Sequence, residues 1–565
     1  MIASDKNMLY EFSYQNPHTH FIKVKLHFEA TAHAIVSLPS WRPGRYQIQN
    51  FAKNIKYVRV EDEQGAALAI QKLSKDRWQL GNKAGKVTIY YEYYAFAMDA
   101  GNSWLDEEQL YINFINCALY VEGQMDVPCE VKLDVPADYR VATGLRQLSQ
   151  HHFSCDSYYD LVDSPLIASH SLRQISYEVG GYQFHIWVQG ELPKTDEEVV
   201  KDFVPFTQLQ VDIMGGFPCP DYHFLLQCLP YKHYHGVEHL NSTVITLGPS
   251  EDLKDRKLYK ELLGVSSHEL FHTWNVIRLR PKEMTPYVFG QENYHKTGFV
   301  TEGVTTYYGD LFLARSGVFS LDEYLAELNK LLLRHYLNEG RKNYSVAASS
   351  YDLWLDGYER GIPGRKVSIY NEGALAALIL DLKIRLKFDH EKSLDDVMRL
   401  MWQRHGQDRS GYTHSDYRQA AEAVYGDSLE DYFQEIIGGT TPYEGELAPL
   451  LSSCGLSFER KEADKPEERN FGLRLTKSGE RYFIDAIAPD SQAESCLSLK
   501  DEILSINGQV YKGEWPVGSE CHLEINRFGR KVDVTLIQNE QTYFGIYQVA
   551  LKEADHHNLK SWLSL

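Results

Sequence analysis

The sequence predicts a multidomain α+β protein: a β-rich N-terminal domain, a mainly α-helical middle domain and a small β-rich C-terminal module. Three observations carry that prediction. At 565 residues the chain is longer than one hydrophobic core usually serves. Residues 1–172 show period-two alternation without long amphipathic helices, and residues 173–455 turn first to mixed elements and then to helical periodicity. From residue 456 onward short β-like runs return.

In the first region Ile22, Val24, Leu26 and Phe28 alternate through IKVKLHFEA, and KVTIYYEYYAFA and CEVKLDVP are similar β-favouring runs. SWRPGRY, residues 40–46, supplies a turn through Pro43 and Gly44. In the middle region Ser320 and Glu323 form a capping box ahead of LDEYLAELNKLLLRHYL, and Thr413 with Asp416 opens a second helix that Gly426 closes. GALAALILDLKIRL and SLDDVMRLMWQRHG are further core-facing helices. The charged stretch ERKEADKPEERN, residues 459–470, reads as an exposed connection. Beyond it FGLRLT, RYFIDAIA, EILSING and KVDVTLI build a module over 456–545, which leaves 546–565 as a tail.

Composition narrows the function. A net charge of −20 disfavours phosphate backbones and anionic lipid surfaces, so neither nucleic acid nor membrane is an expected partner. No run is apolar enough to span a bilayer and the N-terminus lacks a signal-peptide pattern, so a cytoplasmic protein is expected. Its eight cysteines are scattered without a CxxC pair, which suits reduced thiols better than disulfides or a zinc knuckle.

The strongest chemical signal is His268-Glu269-Leu270-Phe271-His272 within VSSHELFHTWNVIRLRP. On a helix, residues four apart share a face, so both imidazoles can hold one zinc ion while Glu269 addresses a water molecule as general base. A catalytic zinc needs a third protein ligand, and TEGVTTYYGDLFLA offers Glu302 at the start of another helical pattern. Thr306 and Asp310, one and two turns on, are candidates to orient a ligand or simply decorate the helix.

These segments, with SWRPGRYQIQNFAKNI, HGVEHLNS, SSYDLWLDGYERG and VSIYNEGALAALILDLKIR, resemble the glycyl aminopeptidase family of PDZ-containing gluzincin metallopeptidases, in the aminopeptidase N and thermolysin clan. The resemblance spans nearly the whole chain and implies a thermolysin-like catalytic domain. It implies that Glu302 completes the zinc site and that Glu238, with Gly236 in the same edge-strand segment, binds the substrate's α-amino group. It also implies that Tyr370 donates to the oxyanion. The family usually has two glycines before that glutamate, where this chain has His235, Gly236 and Val237, and it commonly carries Lys where this chain has Glu372. The C-terminal module is similar to a PDZ domain, with Phe471, Gly472 and Leu473 as its carboxylate-binding loop, so peptide C-termini are implied partners there.

The expected function is a metallo-aminopeptidase with one Zn2+, acting on peptides and favouring a small first residue such as Gly or Ala. Two other functions use the same residues: an endopeptidase taking chains tethered at the PDZ-like module, and an inactive peptide-binding scaffold.

Overall fold

The computed structural model describes residues 7–553 and 555–565; residues 1–6 of the expected N-terminal domain and Ala554 of the expected tail lie outside the described residues. The alternating runs become strands. Phe21–Ala30 buries Ile22, Val24, Leu26 and Phe28 on one face and pairs with Met8–Ser13 and Gly85–Tyr94 in an eight-stranded sheet. Cys129–Asp134 joins the same sheet parallel to Met8–Ser13.

The middle region begins with a five-stranded sheet whose edge strand, His233–Glu238, pairs antiparallel with Ser242–Gly248. Its other side is unpaired within the sheet, and the helix Arg256–Phe271 packs against it. Helices follow. Leu321–Leu337 starts on the Ser320/Glu323 capping box, and His414–Tyr425 starts on Thr413/Asp416 and ends on Gly426 in the left-handed region. The helices Thr305–Arg315 and Ile369–Lys387 cross the buried centre of this region. All eight cysteines are free thiols.

The region from residue 456 onward differs from the sequence reading in two ways. ERKEADKPEERN is not a bare connection: Leu456–Lys461 is a strand and Pro466–Phe471 a short helix. Residues 546–565 are not a tail. Ile546–Leu551 pairs along the whole of Leu456–Lys461, and His557–Leu563 is a helix whose Leu559, Trp562 and Leu563 are fully buried in the main core. Two anchors hold this return. Asn329 exchanges hydrogen bonds with the Val549 backbone at 2.8 and 2.9 Å, and the Trp562 indole donates to the Tyr307 hydroxyl at 3.0 Å. The β-rich module therefore hangs from a two-stranded stalk, with a separate core built from Phe471, Leu473, Ile484, Ile503, Leu523 and Ile525 among others.

Trp562→Ala removes a fully buried indole, so it should destabilise the main body by about 3–5 kcal/mol and lower the Tm measured by calorimetry. An unchanged Tm would mean the terminal helix is not part of that core.

Candidate active site

The helix Arg256–Phe271 delivers His268 and Glu269, and His272 caps its C-terminal end. The two Nε2 atoms stand 3.0 Å apart with the rings nearly perpendicular. His272 Nδ1 donates to the Asn275 carbonyl at 2.8 Å, which leaves Nε2 as a lone pair facing inward. Asn275 in turn donates to the Val300 carbonyl at 2.8 Å and to Thr305 Oγ1 at 3.0 Å, tying this turn to the segment that carries Glu302.

Glu302 lies in a π-helical turn, Phe299–Val304, that runs straight into the helix Thr305–Arg315. Its neighbour Gly303 packs against Gly373 so closely that a methyl group on Gly373 would come within 2.7 Å of the Gly303 Cα. That approach sets Glu302 beside the helix bearing Tyr370. Glu302 Oε2 lies 3.4 Å from His272 Nε2 and 3.8 Å from His268 Nε2. Tetrahedral zinc with nitrogen and oxygen ligands near 2.0–2.1 Å needs ligand separations of about 3.3–3.5 Å, and the separations of 3.0, 3.4 and 3.8 Å among these three donors bracket that range.

The edge strand faces this cluster. Gly236 lies directly against the Glu269 carboxylate and has no room for a Cβ. Glu238, Glu269 and His272 bring one donor atom each within 4.8 Å of one another. Glu238 Oε1 and Glu269 Oε2 are buried without a hydrogen-bond partner. Burial, with Glu302 nearby, pushes the Glu238 carboxyl up to about 7 although His272 opposes it, and burial likewise raises Glu269. Tyr370 lies near the two histidines, its ring 6.5 Å from that of His268, and burial keeps its phenol protonated.

The structure adds residues the sequence reading used only as a turn. Gly44, at φ 73°, presses on Glu238: a Cβ there would lie 2.6 Å from Oε2. Tyr46 donates a long hydrogen bond, 3.4 Å, to Glu302 Oε1. Arg42 is buried, donates to the Pro43 carbonyl and reaches His235 Nε2 at 3.4 Å, while burial and Arg42 hold His235 down to about 4 and hence neutral. The available signal was the crowding of Trp41, Arg42, Arg45 and Tyr46 around a Pro-Gly turn, more chemistry than a solvent loop needs.

Other expectations resolve differently. Among the described residues Thr306 and Asp310 make no hydrogen bond to His268, His272 or Glu302; the Asn275 carbonyl and Tyr46 take that part. Glu372 points away from the site and accepts from buried His335 at 2.7 Å, and His239 pairs with Asp163 at 3.2 Å. Phe471, Gly472 and Leu473 do not form an open carboxylate loop. Gly472 caps the helix Pro466–Phe471 and donates its N–H to the Glu467 and Glu468 carbonyls, while Phe471 packs on Trp515 with ring centroids 5.5 Å apart.

Residues 9–170 match the Peptidase M61 N-terminal domain and residues 261–376 match the M61 glycyl aminopeptidases. Both matches are to M61 peptidases, and over these residues the chain resembles the glycyl aminopeptidases of that family. It is therefore a metallo-aminopeptidase. A crystal structure of an aminopeptidase N family protein from Idiomarina loihiensis is 27% identical with a TM-score of 0.90, covering 98% of this chain and 100% of that one. An M1 zinc metallopeptidase from Deinococcus radiodurans is far more distant, 13% identical with a TM-score of 0.49, covering 77% of this chain and 94% of that one. No curated protein matches significantly. Among the described residues, no helix is long and apolar enough to cross a membrane.

Two predictions follow from the packed charges. In Gly236→Ala the new methyl displaces the Glu269 carboxylate, so kcat should fall about 100-fold or more while metal content stays stoichiometric. Wild-type kcat would show that this contact is not confining. The second concerns metal removal. In chelated protein Glu238, at about 7, and His272, raised to about 10 by Glu302 and Glu238 against the larger opposing effect of burial, bind protons more tightly folded than unfolded. That stabilisation is present at low pH and lost as pH rises through those values. His268, held low by burial and His272, works in the opposite sense only below its ordinary 6.5. The Tm of chelated protein should therefore fall between about pH 6.5 and pH 9, widening its gap to metal-loaded protein. A gap independent of pH would contradict this.

Proposed function

We propose that this protein is a zinc-dependent aminopeptidase that hydrolyses the first peptide bond of peptides beginning with a small residue such as Gly or Ala. The observation that carries the reading is Glu238. Its carboxylate is buried, has an oxygen without a partner and shares a 4.8 Å cluster with Glu269 and His272. A buried anion without a partner disfavours itself unless a cation arrives, and a substrate's α-ammonium supplies that charge.

One zinc ion held by His268, His272 and Glu302 would polarise the scissile carbonyl and acidify a water molecule in the site. Glu238 receives the α-ammonium, which fixes the first peptide bond over the two histidines. Glu269 takes a proton from the attacking water through its free Oε2 and returns it to the leaving amine; its raised pKa, caused first by burial, suits it to hold that proton. The Tyr370 phenol donates to the oxyanion from the side of His268. The preference for a small first residue is supported by the family's glycyl description and by the Pro43–Gly44 turn, which crowds Glu238.

Glu269→Gln should lower kcat on glycyl and alanyl reporters by about 100- to 10,000-fold with zinc still bound, measured by steady-state kinetics and metal analysis. Normal turnover would sink the mechanism. Glu238→Ala should lower kcat/KM by about 30-fold or more, and N-acetylated peptides should resist cleavage by the wild type. Equal cleavage of blocked and free peptides, with a silent Glu238→Ala, would instead mean endopeptidase action.

A further inference from the structure

Tyr358 occupies the meeting point of all three regions of the chain, and nothing in the proposed mechanism uses it. It begins a loop, residues 357–366, whose base is closed by Asp356. That carboxylate binds Arg365 at 2.6 Å and Lys366 at 2.7 Å, and Lys366 also donates to the Gly357 carbonyl at 2.8 Å. Gly357, at φ 56°, lies against the Gln47 side chain of the N-terminal domain. Tyr358 is 41% exposed, and its hydroxyl meets that of Tyr370 at 3.4 Å. The Arg45 guanidinium stands 5.5 Å over the same ring. Two residues on, Arg360 crosses to the C-terminal module, donating to Asp485 Oδ1 at 2.6 Å and to the Asp485 carbonyl at 2.8 Å.

We propose that Tyr358 is a positioning residue for the Tyr370 hydroxyl, and that the C-terminal module holds Tyr358 in place through the Arg360–Asp485 contact. The inference rests on the reading of Tyr370 as the oxyanion donor. A phenol has one hydrogen to give and lone pairs to receive with. When Tyr358 donates to the Tyr370 oxygen, the Tyr370 hydrogen is left to point at the substrate, and a hydroxyl that accepts one hydrogen bond donates the next more strongly. Arg45 over the ring favours Tyr358 as the donor of the pair, because a cation on the π face draws electron density from the phenol. The module then acts on the reaction without touching substrate. It fixes the tip of the loop whose other end aligns the oxyanion donor.

The test is a set of variants on the zinc-loaded full-length enzyme, with kcat, KM, metal content and Tm measured on a glycyl reporter. Tyr358→Phe should lower kcat roughly tenfold with KM, zinc and Tm near wild type, the scale seen when an outer hydrogen-bond partner of a reacting group is lost. Because Tyr358 acts through Tyr370, the Tyr358→Phe/Tyr370→Phe double variant should be no slower than Tyr370→Phe alone. Asp485→Ala should lower kcat about threefold, as suits a part-exposed ion pair, and exchanging the charges with Arg360→Asp and Asp485→Arg should restore most of it. Additive losses in the tyrosine double variant, or wild-type kcat in both Arg360→Ala and Asp485→Ala, would overturn the corresponding half of the proposal. If Tyr370→Phe is slow but Tyr358→Phe is not, this inference fails alone. If Tyr370→Phe turns over normally, the oxyanion reading fails and takes the inference with it.

Discussion

Three buried carboxylates and two imidazoles packed into one small volume are the constraint around which the rest of this structure is arranged. Glu238, Glu269 and Glu302 are all nearly inaccessible to water. Taking that much like charge out of water is unfavourable by several kcal/mol per ion unless cations compensate. In the proposed mechanism a divalent ion at one end of the cluster and an ammonium at the other would satisfy it together, so that metal binding and substrate binding would relieve the same strain from opposite sides. Backbone must also approach the carboxylates closely enough to exclude bulk solvent. That accounts for the glycines: Gly236 against Glu269, Gly44 against Glu238, and Gly303 against Gly373 beside Glu302.

The N-terminal domain is therefore part of the active site. Its Pro43–Gly44 turn closes over Glu238, Tyr46 reaches Glu302, and Arg42 adds a buried guanidinium that partly offsets the carboxylate charge. Gly101 lies directly on the Arg42 side chain and leaves it no freedom to swing away. The eight-stranded sheet thus serves the chemistry by holding a loop that projects into another domain. This is a different task from binding a ligand of its own.

Much of this was legible in the sequence, for identifiable reasons. His268 and His272 sit four residues apart, so local geometry alone puts them on one face with Glu269 next to the first, and the capping boxes at Ser320 and Thr413 are likewise local. Glu302 was reached as a carboxylate opening a second helical pattern, for a metal that needs a third ligand, whereas Glu238 and Tyr370 depend on contacts across long sequence separations and only resemblance to a family pointed to them. Arg42, Tyr46 and Tyr358 were passed over because nothing about a turn or loop indicates which distant carboxylate or hydroxyl it will meet. The end of the chain was misread for a related reason. IYQVAL and HNLKSWL are short and carry weak patterns, and their burial is decided by partners at Asn329 and Tyr307. Gly472 was read from its local motif, but the helix preceding it engages the N–H that a carboxylate would need.

The return of the chain to the main body also explains how a small module can matter to a distant reaction centre. Had the module been a terminal appendage on one flexible strand, a single exposed contact such as Arg360–Asp485 would be too weak to define its position. Instead the polypeptide enters through Leu456–Lys461 and leaves through Ile546–Leu551, paired residue for residue, and the exit is nailed down by Trp562 against Tyr307. Tyr307 lies on the helix that continues from Glu302, and its hydroxyl donates to buried Asp381 at 2.6 Å on the helix that begins at Tyr370. The same few side chains that anchor the stalk therefore brace the two helical segments carrying Glu302 and Tyr370. With its stalk fixed on that bracing, the module meets Arg360 at little further entropic cost, and a modest ion pair suffices to hold the Tyr358 loop in register.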